Sequence, residues 1–243
     1  MRTAAIVTLS LLLTGCGNPF QVPRDPVANN QQQSPPPAVV AARADGDQCA
    51  YQWNGNGVTA AQLEERVTAA VGEDLERQGG PANIEALLPI DAEITPQLPH
   101  RCFAGLLRAL QRTGVMEVRV SLADGGERRP APILFLIEEG VDPPPPQEQR
   151  NVLAIDARGE IAWNRQAIDR TTLTQYLELT RQMSPAPLLV VEPAADLPFD
   201  RFAELIGRIR DADVEAFQLV GAESPAGDRF TMQIELRGPG ADE

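Results

Sequence analysis

The chain has 243 residues and a net charge of −13, and all of its basic residues are arginine, with no lysine. So acidic a surface repels phosphate backbones, which argues against nucleic acid as a partner. Beyond an apolar leader about 200 residues remain, enough for one or two domains with packed cores.

The leader is "MRTAAIVTLSLLLTGC", in which Arg2 supplies the charged start and Ala4 to Leu13 the apolar run. That run is about half of the ~20 residues a membrane-crossing helix needs, so a removable address is expected and not a permanent span. Its ending, Leu13-Thr14-Gly15-Cys16, resembles a bacterial lipobox. The resemblance implies cleavage before Cys16 and lipidation of its thiol; an ordinary secretory signal with an incidental cysteine is the other reading. Gly17 follows the cysteine, and in lipoproteins the absence of Asp there goes with transfer to an outer membrane. The expected location is therefore the periplasmic side of the cell envelope, lipid-anchored, on the outer membrane.

Residues 17–47 are rich in Gln, Asn and Pro without sustained periodicity and are expected to be a disordered tether. With Cys16 lipidated, Cys49 and Cys102 remain in an exported chain, and an even remainder reads as one disulfide. Two buried free thiols are the alternative. A second breaker, "EEGVDPPPPQEQR", has four successive prolines that enter neither a helix interior nor a central strand. It divides a domain at 48–138 from a linker at 139–150, a second domain at 151–238 and a tail at 239–243.

The two domains repeat each other. At one constant offset Trp53-Asn54 falls on Trp163-Asn164, Val58 on Ile168, Thr59 on Asp169 and Leu63 on Leu173. At a second, smaller offset Leu98-Pro99 falls on Leu197-Pro198, Phe103-Ala104 on Phe202-Ala203, Leu106 on Leu205 and Val115 on Val214. The first copy therefore carries an insertion around "GEDLERQGGPANIEA". Repetition at this length means duplicated domains and not a solenoid of short units. Thr59 and Asp169 differ, yet both suit a helix N-cap, and Thr59 with Gln62 has the spacing of a capping box. Pro99 and Pro198 likewise suit the first turn of a helix.

Taken in order, "VLAID-ARG-EIAWN" predicts two strands around a turn at Gly159, and Leu173, Leu177 and Met183 a helical stripe. "PLLVVEP" predicts a buried strand, and Phe199, Phe202, Leu205, Ile206 and Ile209 a second helix packed by one face. "EAFQLVG" and "RFTMQIELRG" close the domain, the last with Phe230, Met232, Ile234 and Leu236 on one side. The fold class is α+β: two tandem domains in ββαβαββ order, each a small mixed sheet with two helices on one face. The first copy has a weaker opening strand and closing strands at Val115–Leu122 and Ile133–Ile137.

The second copy resembles the periplasmic domain of the ExbD/TolR family, stator-side partners of proton-driven motors in bacterial envelopes. The matching features are Ile155-Asp156, Gly159, Asn164, Ile168, Leu173, Val190-Val191, Pro198-Phe199 and Val214. The first copy matches through Asn54, Val58, Leu63, Pro99, Leu106 and Gly114-Val115. The resemblance implies a domain that pairs with a second copy of itself, here expected within one chain as an intramolecular pseudo-dimer that offers a sheet edge or groove to an extended peptide. It departs from the family at Ala194, Asp200 and Asp213. The family's transmembrane Asp has no counterpart in Ala4 to Leu13, so its proton-transfer role is not carried over.

Chemistry-bearing patterns are few. His100, the single histidine, falls opposite Phe199, and a structural or solvent-exposed role outweighs catalysis. Glu64-Glu65 and Glu138-Glu139 are sequence neighbours that do not converge on one face. "GGPAN" from Gly79 lacks the Lys-Ser or Lys-Thr of a phosphate loop. Trp53 and Trp163 read as lids on the core, with exposed stacking platforms for glycan sugars as the alternative. No catalytic residue, cofactor or metal is expected. The expected function is a non-catalytic binding or scaffolding component of a TonB/Tol-type transport system, with an envelope protein or extended peptide as partner. The alternative is a structural lipoprotein that binds peptidoglycan.

Overall fold

Each copy opens with a hairpin shaped by its Trp-Asn pair. Strands β1 (Ala38–Asp45), β2 (Gln48–Trp53) and β3 (Asn56–Val58) pair antiparallel in sequence. So do β7 (Arg150–Ile155), β8 (Ile161–Trp163) and β9 (Gln166–Ile168) in the second copy. The computed structural model describes residues 38–77, 89–115, 117–124, 127–137, 149–214, 216–222 and 229–237. All belong to one compact unit, Pro36–Glu243.

At the β2–β3 turn Asn54 and Gly55 have φ of 48° and 81°, and at β8–β9 Asn164 and Arg165 have 50° and 72°. Two successive left-handed residues are the mark of the tight turn whose twist suits paired strands, and Asn enters that region more readily than most. Once the chain has turned, the Asn carbonyl cannot continue the ladder to the opening strand. Its side-chain oxygen takes over: Asn54 Oδ1 accepts from the Val39 amide at 3.0 Å and Asn164 Oδ1 from the Val152 amide at 2.8 Å. The Asn amides donate to the carbonyls of the same two valines, each at 2.8 Å. The repeated Trp-Asn thus ties hairpin to opening strand in both copies.

Two sequence boundaries are corrected here. The tether expected over 17–47 stops short, because β1 lies inside it and the first copy begins before residue 48. The strand "AVVAARAD" follows three prolines and lacks large apolar residues, which hid it. The linker expected over 139–150 yields Arg150 to β7. The leader, the "GGPAN" segment, most of that linker and the tail at 239–243 lie outside the described residues.

Helix α1 (Ala60–Arg77) starts with the expected capping box: Gln62 N–H donates to Thr59 Oγ1 at 3.2 Å, and Thr59 N–H to Gln62 Oε1 at 2.9 Å. Leu63, Val67 and Val71 recur every four residues and are buried. Helix α3 (Arg170–Gln182) is capped by Asp169, which accepts from Thr172 N–H at 2.7 Å, and buries Leu173, Leu177 and Thr180. Met183 lies past its end and is exposed, so Thr180 takes the place predicted for it. Helix α4 (Phe199–Asp211) buries all five predicted apolar residues, each worth roughly 1.5–3 kcal/mol of transfer from water. Its counterpart is α2 (His100–Arg112).

The remaining strands are β4 (Ile90–Ile94), β5 (Glu117–Asp124), β6 (Glu127–Ile137), β10 (Leu188–Pro193), β11 (Ala216–Ala222) and β12 (Arg229–Arg237). Each copy runs β-β-β-α-β-α-β-β, one short strand more than predicted. Within a copy β1, β4 and β5, or β7, β10 and β11, are parallel and their neighbours antiparallel, a mixed sheet. The sheets merge, because β6 pairs antiparallel with β12. The resulting order, β3-β2-β1-β4-β5-β6-β12-β11-β10-β7-β8-β9, reads as the same series of strands from either end, which is pseudo-two-fold symmetry. Alternate strand residues such as Val40, Ala42, Ile90, Ile94, Met232 and Ile234 join the apolar faces of all four helices in one core cluster.

Candidate functional site at the junction of the two copies

The pseudo-two-fold axis passes between Pro99 and Pro198, which form an antiparallel bridge. Both prolines sit at the N-cap, one residue before the helical position expected for them, and neither α2 nor α4 has a side-chain cap. The orphan amides of a helix start must then find acceptors elsewhere. Each helix finds them in the other copy. His100 N–H donates to Leu197 O at 2.8 Å and Arg101 N–H to Ala195 O at 2.9 Å; reciprocally, Phe199 N–H donates to Leu98 O and Asp200 N–H to Pro96 O, both at 2.9 Å. The conformation of proline delivers the chain into this exchange, and its missing N–H costs nothing there.

Around this backbone lies an aromatic cluster. Phe103 packs on Phe199 with centroids 4.6 Å apart, and His100 on Phe202 at the same distance. The imidazole is fully buried, and neither ring nitrogen has a hydrogen-bond partner. Burial drives its pKa down to about 3, so at neutral pH it is an uncharged ring in an apolar setting. Of the two roles expected for it, structural or solvent-exposed, burial selects the structural one. Arg108 lies over the Phe230 ring, 5.3 Å from its centroid, a further contact between copies.

Arg101 carries charge across the same junction. Its side chain is nearly buried, donates to Asp196 of the second copy, and reaches Gly46 O at 3.3 Å in the first. Nothing in the sequence marked it, since Arg101 aligns with an acidic residue, Asp200.

Cys49 and Cys102 are bonded, with Cα atoms 5.3 Å apart, joining β2 to α2 as expected. Cys16, the lipidation candidate, lies outside the described residues. Trp163 is buried and packs on Tyr176 at 5.6 Å, and Trp53 is partly buried against the core. The two indoles are lids, and the exposed stacking pair does not form. In the β7–β8 turn the amide of Glu160 foremost, with that of Arg158, donates to Asp156 and holds its carboxylate below the ordinary range. Asp156 and Gly159 thereby shape one turn. The sheet ends in the three-residue edge strands β3 and β9.

Among the described residues no helix is long and apolar enough to cross a membrane. Set against family models, curated proteins and solved structures, the chain matches none of them.

Proposed function

We propose that the chain is a lipid-anchored envelope protein whose two ExbD/TolR-like domains form a binding or scaffolding component of a TonB/Tol-type transport system. The observation that carries this reading is the reciprocal capping of α2 and α4 across the Pro99–Pro198 bridge. A domain of the resembling family is expected to work as a pair, and here the pair is built within one chain. A rigid, symmetric platform with two short strand edges suits capture of an extended segment by strand addition, in which backbone hydrogen bonds give affinity and side-chain pockets give selectivity. The anchor at Cys16 and the tether after it hold that platform at the envelope membrane. The peptidoglycan alternative has no exposed tryptophan pair to rest on.

The test has two arms. Acylated protein is extracted from envelopes and the mass of its N-terminal peptide measured; then it is titrated with peptides tiling the envelope-spanning segment of a TonB/Tol-type protein from the same cell. Lipid on Cys16 and saturable binding of one extended peptide are expected. An unmodified soluble product removes the anchor. Sedimentation with purified sacculi, with no peptide bound, would replace transport by the structural role.

A further inference from the structure

The two copies share a framework but not one particular corner of it, where β8 meets the start of α3 and one face of α4. Trp53 matches Trp163, and the pairs Tyr51–Val58 and Ile161–Ile168 hold the same place in their ladders, so Tyr51 corresponds to Ile161. The reciprocal bonds of Leu98 and Leu197 fix the helices likewise. Cys102 corresponds to Arg201, Gly105 to Glu204 and Ala109 to Arg208; at the first helix, Ala60 corresponds to Arg170.

In the first copy this corner is filled. The Tyr51 hydroxyl lies so close to Gly105 that a Cβ added there would stand 2.8 Å from it, and Cys102 is consumed by its disulfide. In the second copy the tyrosine is an isoleucine, the cysteine an arginine, and the Cys49 position is taken by Gly159. A shallow dip open to solvent remains there, with enclosed room for about one water molecule and with Ile155, Ile161 and Leu205 beneath it.

Three guanidinium groups line that recess and share one carboxylate. Arg170 Nη1 lies 3.0 Å from Glu204 Oε1, Arg208 Nη2 3.1 Å from the same oxygen, and Arg201 Nη1 3.7 Å from Glu204 Oε2. Three fixed positive charges face one negative charge, an excess of cation on a chain of net charge −13. The arginine side chains are a third to a half exposed, so their forks remain accessible to a ligand. Guanidinium forks bind carboxylates in a planar, two-point manner, and Glu204 already shows that a carboxylate fits their focus.

From this divergence we infer that the second copy carries a binding site for a compact carboxylate ligand, held by Arg170, Arg201 and Arg208, which the first copy has closed with Tyr51 and the Cys49–Cys102 bond. The carboxylate can come from a peptide chain terminus or from a small free acid. Glu204 acts as an internal competitor that keeps the arginines in place until the ligand arrives. The site stands whether or not the envelope reading holds.

Calorimetric titration of the purified, oxidised protein tests it with four probes: an N-acetylated dialanine with a free carboxylate, its C-terminal amide, succinate and inorganic phosphate. The free-carboxylate dipeptide or succinate should bind with a Kd below about 1 mM, and whichever is tighter identifies the source. Arg170→Gln or Arg208→Gln should weaken binding about tenfold, the loss of one charge-assisted contact. Glu204→Gln should tighten it several-fold, which a merely structural glutamate would not do. Arg112→Gln removes an exposed arginine on α2, outside the recess, and should leave affinity unchanged. The double variant Ile161→Tyr with Glu204→Gly, built after the first copy, should retain its fold by circular dichroism and bind nothing. Equal binding of the amide or of phosphate, no binding up to about 10 mM, or equal losses at Arg112 and Arg208 would overturn the site.

Discussion

The imidazole of His100 packs 4.6 Å from the ring of Phe202, one copy's helix start against the other copy's helix, with no polar partner for either nitrogen. Two unsatisfied ring nitrogens in an aromatic cluster cost stability that an apolar ring would not, and the equivalent position, Phe199, shows that a phenyl ring fits this junction. His100→Phe should therefore stabilise the protein by about 1–2 kcal/mol in urea unfolding. A lowered midpoint would mean that the ring fills a space phenylalanine cannot.

The same burial makes stability depend on pH. The folded chain binds a proton at His100 only near pH 3, whereas the unfolded chain binds it near 6.5. Stability is full above pH 6.5 and declines as pH falls toward 3, by on the order of 2 kcal/mol between pH 7 and pH 5. Asp156 and Asp169, held below the ordinary range by backbone amides, act in the same direction only at more acid pH, below about 4. Unfolding curves at pH 7 and pH 5 should converge for His100→Phe and separate for the natural chain.

Reduction of the Cys49–Cys102 bond releases a loop of sequence separation 53 in the unfolded chain. The chain-entropy model gives a loss of about 4 kcal/mol. Guanidinium unfolding with and without a reductant measures it, and coincident curves would contradict a stabilising bond.

Two residues of the second copy hold left-handed backbone where the first copy has glycine: Arg165 at φ 72° against Gly55 at 81°, and Asp213 at 54° against Gly114 at 80°. Arg165→Gly should raise stability by about 0.5–1 kcal/mol, and Asp213→Gly by less, because aspartate tolerates that region better. Differential scanning calorimetry of each single variant decides; a fall in Tm for Arg165→Gly would count against strain at that turn.

If the junction holds the copies as one body, a chain break between them should not part them. A protease site placed at Pro143–Pro146, once cleaved, should leave both fragments co-eluting at the mass of one intact chain. Separation of the fragments, or dimers of either one, would show that the β6–β12 pairing and the reciprocal caps are too weak to act alone.

Much of this architecture was legible because local rules recur in both copies. The Thr59–Gln62 box, the Asp169 cap, the α4 stripe and the alternation from Phe230 to Leu236 each follow from one segment's own chemistry. The Cys49–Cys102 bond followed from the even number of cysteines left after Cys16 and from the export expected of the chain. What escaped were features that depend on two distant segments at once. Leu98-Pro99 and Leu197-Pro198 announced helix starts, but nothing in either announced that each caps the other. The arginines of the recess are spread over α3 and α4, so their convergence exists only in the fold. Strand β1 was missed for a different reason: its small residues carry little apolar signal, and its place comes from pairing with β2 and β4.

At the axis of a true homodimer every substitution is made twice, and a histidine meets its own image. In this chain the position across from His100 is Phe199, and the position matching Arg101 is Asp200, so the axis can be chemically one-sided while the backbone around it stays two-fold. One gene then governs both sides of the seam independently. A charge such as Arg101 can be placed once, with Asp196 as its single partner, where a homodimer would be obliged to bury two like charges near each other.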